Sequence, residues 1–349
     1  MPSDPALPPP ALRLRVDSGA IADNWRSLDS LSGSADAGAA VKADAYGVGV
    51  SRAMPALLDA GCRNFFVAHW CEVPEVLGHV DGSSIAVLHG PTSPADCAYA
   101  REAGVRPVLN SLHQVRLWQN SGGGACDLMV DTGMNRLGLR PEELGDAALD
   151  PLEVDTLMSH LSCADEDGPQ SARQLSAFRD IVARIPHRRA SLANSAGIAL
   201  GPDYAFDLTR PGLALYGGIA RPELAGRIRQ VVTPQAAIIQ TRTVPAGETV
   251  GYGGTFRVER DMRIAILSIG YADGYLRAWS GKGAFRHGEI VLPVLGRVSM
   301  DMTAIDISAA PHLNEGDWVD AEYDLAQASS CTGLTQYELL TLSGPRLRG

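Results

Sequence analysis

The sequence lacks the long apolar runs, basic blocks and paired cysteines that would indicate a membrane, nucleic-acid-binding or disulfide-bonded protein. No apolar segment approaches the roughly 20 residues that a membrane-spanning helix needs. The net charge is −10, with 40 acidic against 30 basic residues, which argues against nucleic acid as a partner. The six cysteines lie far apart without a CxxC pair, so reduced thiols are expected. The N-terminus has neither a basic start nor an apolar stretch, which predicts a cytoplasmic protein.

What the chain does have is enough apolar material for a large core. Its 349 residues are 45% hydrophobic, which suggests about two domains. Over residues 12–225, short apolar runs alternate with segments of helical spacing. The runs lie near residues 39–43, 64–68, 85–88, 106–109, 126–131, 154–160, 190–193 and 206–209. Eight strands alternating with helices predict an α/β fold of the (β/α)8 barrel type, although a doubly wound open sheet would alternate in the same way.

A helix-like stretch near residues 17–31 precedes the first run. Four segments between the runs also have helical spacing, near residues 94–102, 112–119, 141–148 and 170–185. Over residues 226–349 the pattern changes to strand-like pieces separated by turns rich in glycine and proline. The pieces are residues 231–244, 262–269, 289–295, 304–307 and 318–323. They predict a C-terminal, mostly β domain, and a strand near residues 11–16 could pair with it.

One lysine lies at the end of a short apolar run, just before a turn broken by glycine. The segment is Ala39-Ala-Val-Lys42-Ala-Asp-Ala-Tyr46-Gly-Val-Gly49. An apolar run bounded by such a turn is typical of a buried strand. Burial lowers the pKa of a lysine toward the neutral amine that forms Schiff bases. Because lysines are rarely buried without a function or a partner, Lys42 is a candidate catalytic residue.

Polar residues recur where the predicted barrel strands end, and a barrel enzyme has its active site at that rim. Those at this rim are Lys42, Tyr46, Arg136, His160, Asn194, Ser195 and Arg210. Singly, each has an ordinary explanation: Asn194 or Ser195 could cap a helix, His160 could be a core histidine, and either arginine could pair with an acid. Their occurrence at one rim favours a functional site.

The loops after the seventh and eighth strands carry small residues and expected helix starts. Ser195-Ala-Gly197 and Pro211-Gly212-Leu213 supply backbone N–H groups that suit an anion, in the loops where such barrels commonly hold phosphate. A reactive lysine together with a phosphate site is what pyridoxal 5′-phosphate requires. The sequence therefore predicts this cofactor.

At this point the sequence resembles the alanine racemase family, the barrel-type enzymes that use pyridoxal phosphate, from about residue 12 to about residue 345. Several separate motifs occur in order. They are Val41-Lys42-Ala-Asp-Ala-Tyr46-Gly, Asp131-Thr-Gly-Met-Asn-Arg136-Leu-Gly, His160-Leu-Ser-Cys-Ala-Asp-Glu166, Ala193-Asn194-Ser195-Ala, Arg210-Pro-Gly-Leu-Ala-Leu-Tyr216-Gly, Gly251-Tyr252-Gly, Gly270-Tyr271-Ala-Asp-Gly274 and Gly296-Arg-Val-Ser-Met300-Asp301-Met.

The resemblance implies that Lys42 carries pyridoxal phosphate as an internal aldimine. His160 would lie against the pyridine ring, Arg210 at its nitrogen, and Arg136 at the phenolic oxygen and the substrate carboxylate. A cation at the ring nitrogen disfavours its protonation and should suppress transamination. Six residues would bind the cofactor, most of them at its phosphate: Tyr46, Asn194, Ser195, Gly212, Leu213 and Tyr337.

The resemblance also implies interconversion of L- and D-alanine through an external aldimine with two bases, for cell-wall supply or for alanine breakdown. Lys42 would serve the D-isomer side and Tyr252 the L side. In this family the second base comes from the partner of a head-to-tail homodimer. The C-terminal domain would therefore complete the other barrel's site with Tyr252, Tyr271, Met300 and Asp301, and Tyr271 and Tyr337 would narrow its entrance.

One departure from the family pattern and several alternatives stay open. Many relatives have a carbamylated lysine before the Asp-Thr-Gly motif, where this chain has Met129. A racemase of serine or of broader specificity is the nearest alternative. A non-catalytic pyridoxal-phosphate carrier would lack the β domain, and a decarboxylase would need an acid in place of Arg210. Metal-dependent hydrolysis would need His160 and the Asp165-Glu166-Asp167 cluster as ligands; no metal is expected.

Overall fold

The computed structural model describes residues 8–348, with side chains as far as residue 347. This part of the chain forms two compact units. One consists of residues 18–230, and the other combines residues 8–17 with residues 231–348. None of the helices within residues 8–348 is long and apolar enough to cross a membrane.

The first strand, β1 (Leu12–Val16), belongs to the second unit, and the next nine belong to the first. Those nine are β2 (Asp36–Ala37), β3 (Ala39–Ala40), β4 (Phe65–Val67), β5 (Ile85–Val87), β6 (Arg106–Leu109), β7 (Ala125–Met129), β8 (Glu153–Met158), β9 (Arg189–Ser191) and β10 (Leu208–Thr209). Strands β3 to β9 form one parallel sheet in chain order. Each predicted apolar run therefore overlaps a strand.

The tenth strand closes this sheet on itself. Strand β10 pairs in parallel with β2, which one residue separates from β3. On its other side, the N–H groups of Asp207 and Arg210 donate to the carbonyls of Ala190 and Ala193, at 3.1 and 2.8 Å. The strands thus form a complete ring, which confirms the predicted barrel and excludes the open, doubly wound sheet.

Strands β4 and β5 are apolar throughout because both of their faces are covered. All three residues of β4 and all three of β5 are buried. Parallel strands in such a position show continuous apolar runs, not an alternating pattern. This is why the sequence revealed them so directly.

Eight helices accompany the barrel strands within residues 18–230. They are α1 (Ser18–Ser32), α2 (Lys42–Tyr46), α3 (Val50–Ala60), α4 (Val73–Leu77), α5 (Pro94–Ala103), α6 (Leu112–Asn120), α7 (Pro169–Val182) and α8 (Ser195–Ala199). The helix predicted at 141–148 is wrong: two short 3₁₀ turns, Pro141–Glu143 and Ala147–Leu149, occupy this segment. Gly145 separates them, and the Asp146 carboxylate binds the N–H of Ala148 and starts a new turn.

The second unit is built on an antiparallel sheet that closes into a barrel-like ring. The strands of this sheet besides β1 are β11 (Val232–Val244), β14 (Met262–Leu267), β15 (Ala284–His287), β16 (Ile290–Leu295), β17 (Thr303–Asp306) and β18 (Trp318–Ala321). Two further strands, β12 (Thr249–Val250) and β13 (Phe256–Arg257), form a separate two-stranded sheet. The long β11 pairs with β1 and then β14 along one edge, and with β18 along the other. Strand β1 thus joins the C-terminal domain, with Leu12 opposite Ala236.

Three short helices end the second unit: α9 (Leu325–Thr332), α10 (Gln336–Thr341) and α11 (Pro345–Arg348). The loop between α10 and α11 packs against the turn Tyr271–Asp273. The N–H of Gly344 donates to the carbonyl of Asp273 at 3.1 Å. The sequence did not predict these helices or β15, whose four residues contain a single buried aromatic side chain, Phe285.

Candidate active site

Lys42 lies at the rim of the barrel, at the start of a left-handed helical turn. The φ angles of Ala43, Asp44, Ala45 and Tyr46 lie between 51° and 58°. Left-handed backbone costs about 1–2 kcal/mol per residue for non-glycine residues, so the surroundings must hold this turn in place. The Asp44 carboxylate does so in part by accepting the N–H of Val50 at 2.9 Å.

The charge environment of Lys42 favours its neutral amine. Burial is the largest effect that lowers the pKa of Lys42, and the positive charges of Arg136 and Arg210 lower it further. The carboxylate of Glu72 acts in the opposite direction. The desolvation expected from the sequence is therefore present.

Arg210 is a buried cation held by serine and backbone oxygens. Its Nη1 donates to the Ser191 hydroxyl, and its Nη2 donates to the carbonyl of Ser159 at 2.5 Å. Burial lowers the pKa of Arg210 to about 10, against the opposing charge of Asp127, so it stays protonated at neutral pH. A buried guanidinium without a direct carboxylate partner retains its full positive charge for another group.

His160 lies close to the same cations. Burial, followed by the charges of Arg210, Arg136 and Lys42, lowers the pKa of His160 to about 3. The imidazole is therefore neutral at physiological pH. The charges of Lys42, Arg136 and Arg210 thus act on His160, and those of the two arginines act on Lys42. Four of the predicted site residues therefore lie near one another at one end of the barrel.

The loops after β9 and β10 meet at Ser195. Its hydroxyl oxygen accepts the N–H of Gly212 at 3.0 Å and that of Ala214 at 3.2 Å. Asn194 caps α8, and its side-chain oxygen accepts the N–H of Gly197 at 2.9 Å. The Gly212 N–H, expected to be free for an anion, is thus engaged.

Tyr46 packs into the same corner, where Gly212 makes room for it. A Cβ atom on Gly212 would clash with the Tyr46 hydroxyl and lie 2.8 Å from its Cζ. The Tyr46 ring also packs on Tyr216, with centroids 5.1 Å apart, and the Tyr216 hydroxyl donates to the carbonyl of Ala40. The segment after β10 therefore fixes the position of Tyr46.

The predicted site residues of the second unit lie on neighbouring turns. The N–H of Tyr271 donates to the carbonyl of Ser299, and that of Ala272 to the carbonyl of Met300, both at 3.0 Å. The Asp301 carboxylate pairs with Arg346 at 2.8 Å. Tyr252 lies in the turn Tyr252–Gly254, which is next to the Arg297 backbone and side chain.

Tyr337 lies on α10 with a half-exposed side chain. The structure therefore places it in the second unit with Tyr252, Tyr271, Met300 and Asp301, while the other predicted residues belong to the barrel. The predicted set thus divides into a barrel group and a β-domain group.

Several residues at these sites were not predicted. Ser159 and Ser191 bind Arg210, Glu72 acts on Lys42, and Arg346 bridges Asp273 and Asp301. Nothing in the sequence around Glu72 or Arg346 indicates a function. Ser159 directly follows β8 and Ser191 is the last residue of β9, and this position at a strand end was the one available signal.

Comparison with known proteins identifies the family. Residues 16–220 match the model for the alanine racemase N-terminal domain, and residues 231–349 match the model for the C-terminal domain. The chain belongs to the alanine racemase family. It is 43% identical over 364 residues to the alanine racemase of Rhizobium meliloti (strain 1021), a match that covers 96% of this chain and 95% of the relative.

Relatives with two different names are similar to this chain to the same degree. Agrobacterium fabrum has a catabolic and a biosynthetic alanine racemase, each 40% identical to the chain. Each match covers 96% of the chain, with 90% of the catabolic and 92% of the biosynthetic relative. Among solved structures, the chain resembles alanine racemase from Bartonella henselae with covalently bound pyridoxal phosphate, at a TM-score of 0.88 and 34% identity, covering 97% of this chain and 99% of that one.

Three residues bear on the departure from the family pattern and on the metal-dependent alternative. Met129, in place of the lysine of many relatives, is buried at the end of β7. Within residues 8–348 the exposed Arg136 guanidinium makes no hydrogen bond or ion pair. Asp167 of the acidic cluster pairs with Arg221 at 2.6 Å, and no group of three His, Cys, Asp or Glu in the described part of the chain is arranged to hold a metal ion.

Proposed function

We propose that this protein interconverts L-alanine and D-alanine with pyridoxal 5′-phosphate bound in its barrel. The observation that carries this conclusion is the placement of Lys42 beside the buried cation Arg210. Burial and the charges of Arg136 and Arg210 lower the pKa of Lys42 and so increase its neutral fraction. A neutral lysine amine at this point can join the aldehyde of the cofactor.

The loops after β9 and β10 fit a phosphate group. Ser195 and Leu213 are buried, and within residues 8–348 their backbone N–H groups have no hydrogen-bond partner. Unpaired N–H groups in a buried position favour an anionic ligand. The residues that would hold the cofactor are those expected from the sequence: Tyr46, Asn194, Ser195, Gly212, Leu213 and Tyr337.

Arg210 and His160 suit the ring of the cofactor. Arg210 would bind the pyridine nitrogen as a hydrogen-bond donor, and its charge disfavours protonation there. A neutral His160 would pack against the ring without adding charge. Enzymes that use the ring as a strong electron sink place a carboxylate at the nitrogen, so Arg210 favours a racemase over a decarboxylase.

Two bases would move the proton. When bound, pyridoxal phosphate acidifies the α-proton of the amino acid that is joined to it. Lys42 Nζ would take or deliver that proton on the D side, and the Tyr252 hydroxyl would do so on the L side. Arg136 would bind the substrate carboxylate.

We infer further that the protein is a head-to-tail homodimer with shared sites. The Tyr252 side chain is 66% exposed and Met300 is 53% exposed, and Tyr271 and Tyr337 are also exposed. Several large exposed side chains on one unit are typical of a surface that another chain covers. In a dimer, these residues and Asp301 would complete the barrel site of the partner, with Tyr271 and Tyr337 narrowing its entrance to small side chains.

The test is incubation of the purified protein with pyridoxal phosphate and L-alanine in D₂O. Deuterium at the α-carbon together with D-alanine is expected. Lys42→Ala should abolish both, while the matched variant Lys282→Ala, at an exposed turn, should leave them unchanged. A parallel incubation with L-serine measures specificity. Release of CO₂, or no exchange in either incubation, would refute the racemase.

A further inference from the structure

Glu72 lies at the barrel rim and binds three backbone N–H groups at once. It ends the 3₁₀ turn Trp70–Glu72, which follows strand β4. Its Oε1 accepts the N–H of Ala43 at 2.6 Å. Its Oε2 accepts the N–H of Ala68 at 2.7 Å and that of His69 at 3.0 Å. One half-buried carboxylate therefore joins the end of β4 to the residue directly after Lys42.

The bond to Ala43 lies at the start of the left-handed turn. Ala43 is the first of four successive non-glycine residues with φ above 50°. Such backbone persists only where surrounding contacts hold it. This turn separates Lys42 from Tyr46, so its geometry sets the positions of both side chains relative to each other.

Glu72 also acts on Lys42 through its charge. Burial, Arg136 and Arg210 disfavour the ammonium form, while Glu72 favours it. The carboxylate is thus a counter-charge at a rim where Arg136 and Arg210 carry positive charge. An ordinary role in capping the turn Trp70–Glu72 would account for the bond to His69 but not for the one to Ala43.

We infer that Glu72 is a positioning residue that fixes Lys42 and Tyr46 for the cofactor by binding the Ala43 N–H. This inference rests on the proposed function for its kinetic consequences, but its effects on cofactor affinity and on Lys42 reactivity do not require turnover. Because lost hydrogen bonds to a charged acceptor change equilibria by about tenfold or more, removing the carboxylate should have a measurable effect.

The test compares Glu72→Gln with Glu75→Gln, which removes an equal charge from the exposed face of α4, three residues away. A glutamine keeps one acceptor oxygen but places an NH₂ group against backbone donors. Glu72→Gln should weaken pyridoxal phosphate binding about tenfold in a spectroscopic titration. In racemisation it should lower kcat more than it raises KM for alanine, while Glu75→Gln should match the wild type.

A second measurement uses the cofactor-free protein. Lys42 and Lys282 are the two lysines of the chain, so acetylation at a series of pH values, followed by mass spectrometry, reports on Lys42 with Lys282 as an internal reference. Glu72→Gln should shift Lys42 labelling to lower pH and leave Lys282 labelling unchanged. This readout holds even if racemisation is not found.

The opposite results are equally clear. If Glu72→Gln binds the cofactor as tightly as Glu75→Gln and labels at the wild-type pH, the inference is wrong. A lower melting temperature with unchanged cofactor affinity would show a structural role alone. If Glu72→Gln does not fold, Glu72→Asp is tested in its place, because aspartate keeps the charge but has a shorter side chain that reaches less far toward Ala43. A pyridoxal phosphate affinity between that of the wild type and a tenfold loss supports the inference. An affinity equal to that of the wild type overturns it.

Discussion

His160 illustrates how one side chain takes its chemical state from its neighbours. Histidine ordinarily titrates near neutrality. Here burial and the charges of Arg210, Arg136 and Lys42 lower the pKa of His160 to about 3. The neutral ring can therefore pack against an aromatic cofactor without adding a further positive charge to the site.

This shift predicts a specific acid sensitivity of the cofactor-free protein. Between about pH 6.5 and 3, the unfolded chain binds a proton on His160 that the folded chain does not, so the free energy of unfolding should fall as pH falls through this window. His160→Gln should lose less stability than the wild type when chemical unfolding is compared at about pH 7 and about pH 4.5.

The matched control for this prediction is His113→Gln, at an exposed position on α6. It should follow the wild-type pH dependence. Equal losses for His160→Gln and the wild type would contradict the low pKa of His160.

Site residues could be predicted from the sequence where they lie at or after the end of a predicted strand. Lys42 and His160 each end an apolar run, Arg136 and Arg210 each follow one, and parallel strands end at one rim. Glu72 lies in the turn after β4 and could not be assigned in this way, and the strand-end position of Ser191 did not identify its partner. The partners of Glu72 and Ser191, Ala43 and Arg210, lie 29 and 19 residues away in the chain, and the fold alone makes them neighbours.

At the scale of elements, the corner between α2 and the loop after β10 depends on one glycine. Gly212 has no side chain where the Tyr46 hydroxyl lies. Tyr46 cannot easily yield, because its ring packs on the fully buried Tyr216. Close packing of this kind turns an added methyl group into displacement or strain.

Gly212→Ala is therefore expected to weaken pyridoxal phosphate binding and to reduce stability by about 1–3 kcal/mol, as overpacking typically does. Cofactor titration and thermal unfolding measure the two effects. Gly145→Ala is the control, because a Cβ there meets no heavy atom within 4 Å. Unchanged affinity in Gly212→Ala would show that Tyr46 has room to move.

Elements were predictable where their burial was uniform. Strands β4 and β5 are buried on both faces and appear as continuous apolar runs, whereas the segment 141–148 has helical spacing but is interrupted by Gly145. The left-handed turn Ala43–Tyr46 had no sequence signal, since it contains no glycine. Its conformation depends on tertiary contacts, including the bond from Ala43 to Glu72.

For the whole molecule, the site residues are distributed over two units. The barrel carries Lys42, Arg136, His160 and Arg210, while the β domain carries Tyr252 and its neighbours. The exposure of Tyr252 and Met300 led us to propose that a second chain covers them. Sequence patterns could divide the chain into a barrel and a β domain, but an interface between chains leaves no periodicity of its own.

Shared sites predict recovery of activity from two inactive proteins. In a symmetric dimer that joins Lys42→Ala to Tyr252→Phe, one site contains both substitutions and the other contains none. Random exchange of subunits should therefore restore about a quarter of wild-type racemisation, since half of the dimers are hybrids with one intact site each.

A mixture of Lys42→Ala and Arg136→Ala should recover nothing, because both substitutions lie in the barrel and neither hybrid site is intact. Mass spectrometry of the intact dimers must show that exchange has occurred. Exchange without recovery in the first mixture would mean that Lys42 and Tyr252 of the same chain act together, or that Tyr252 is not the second base.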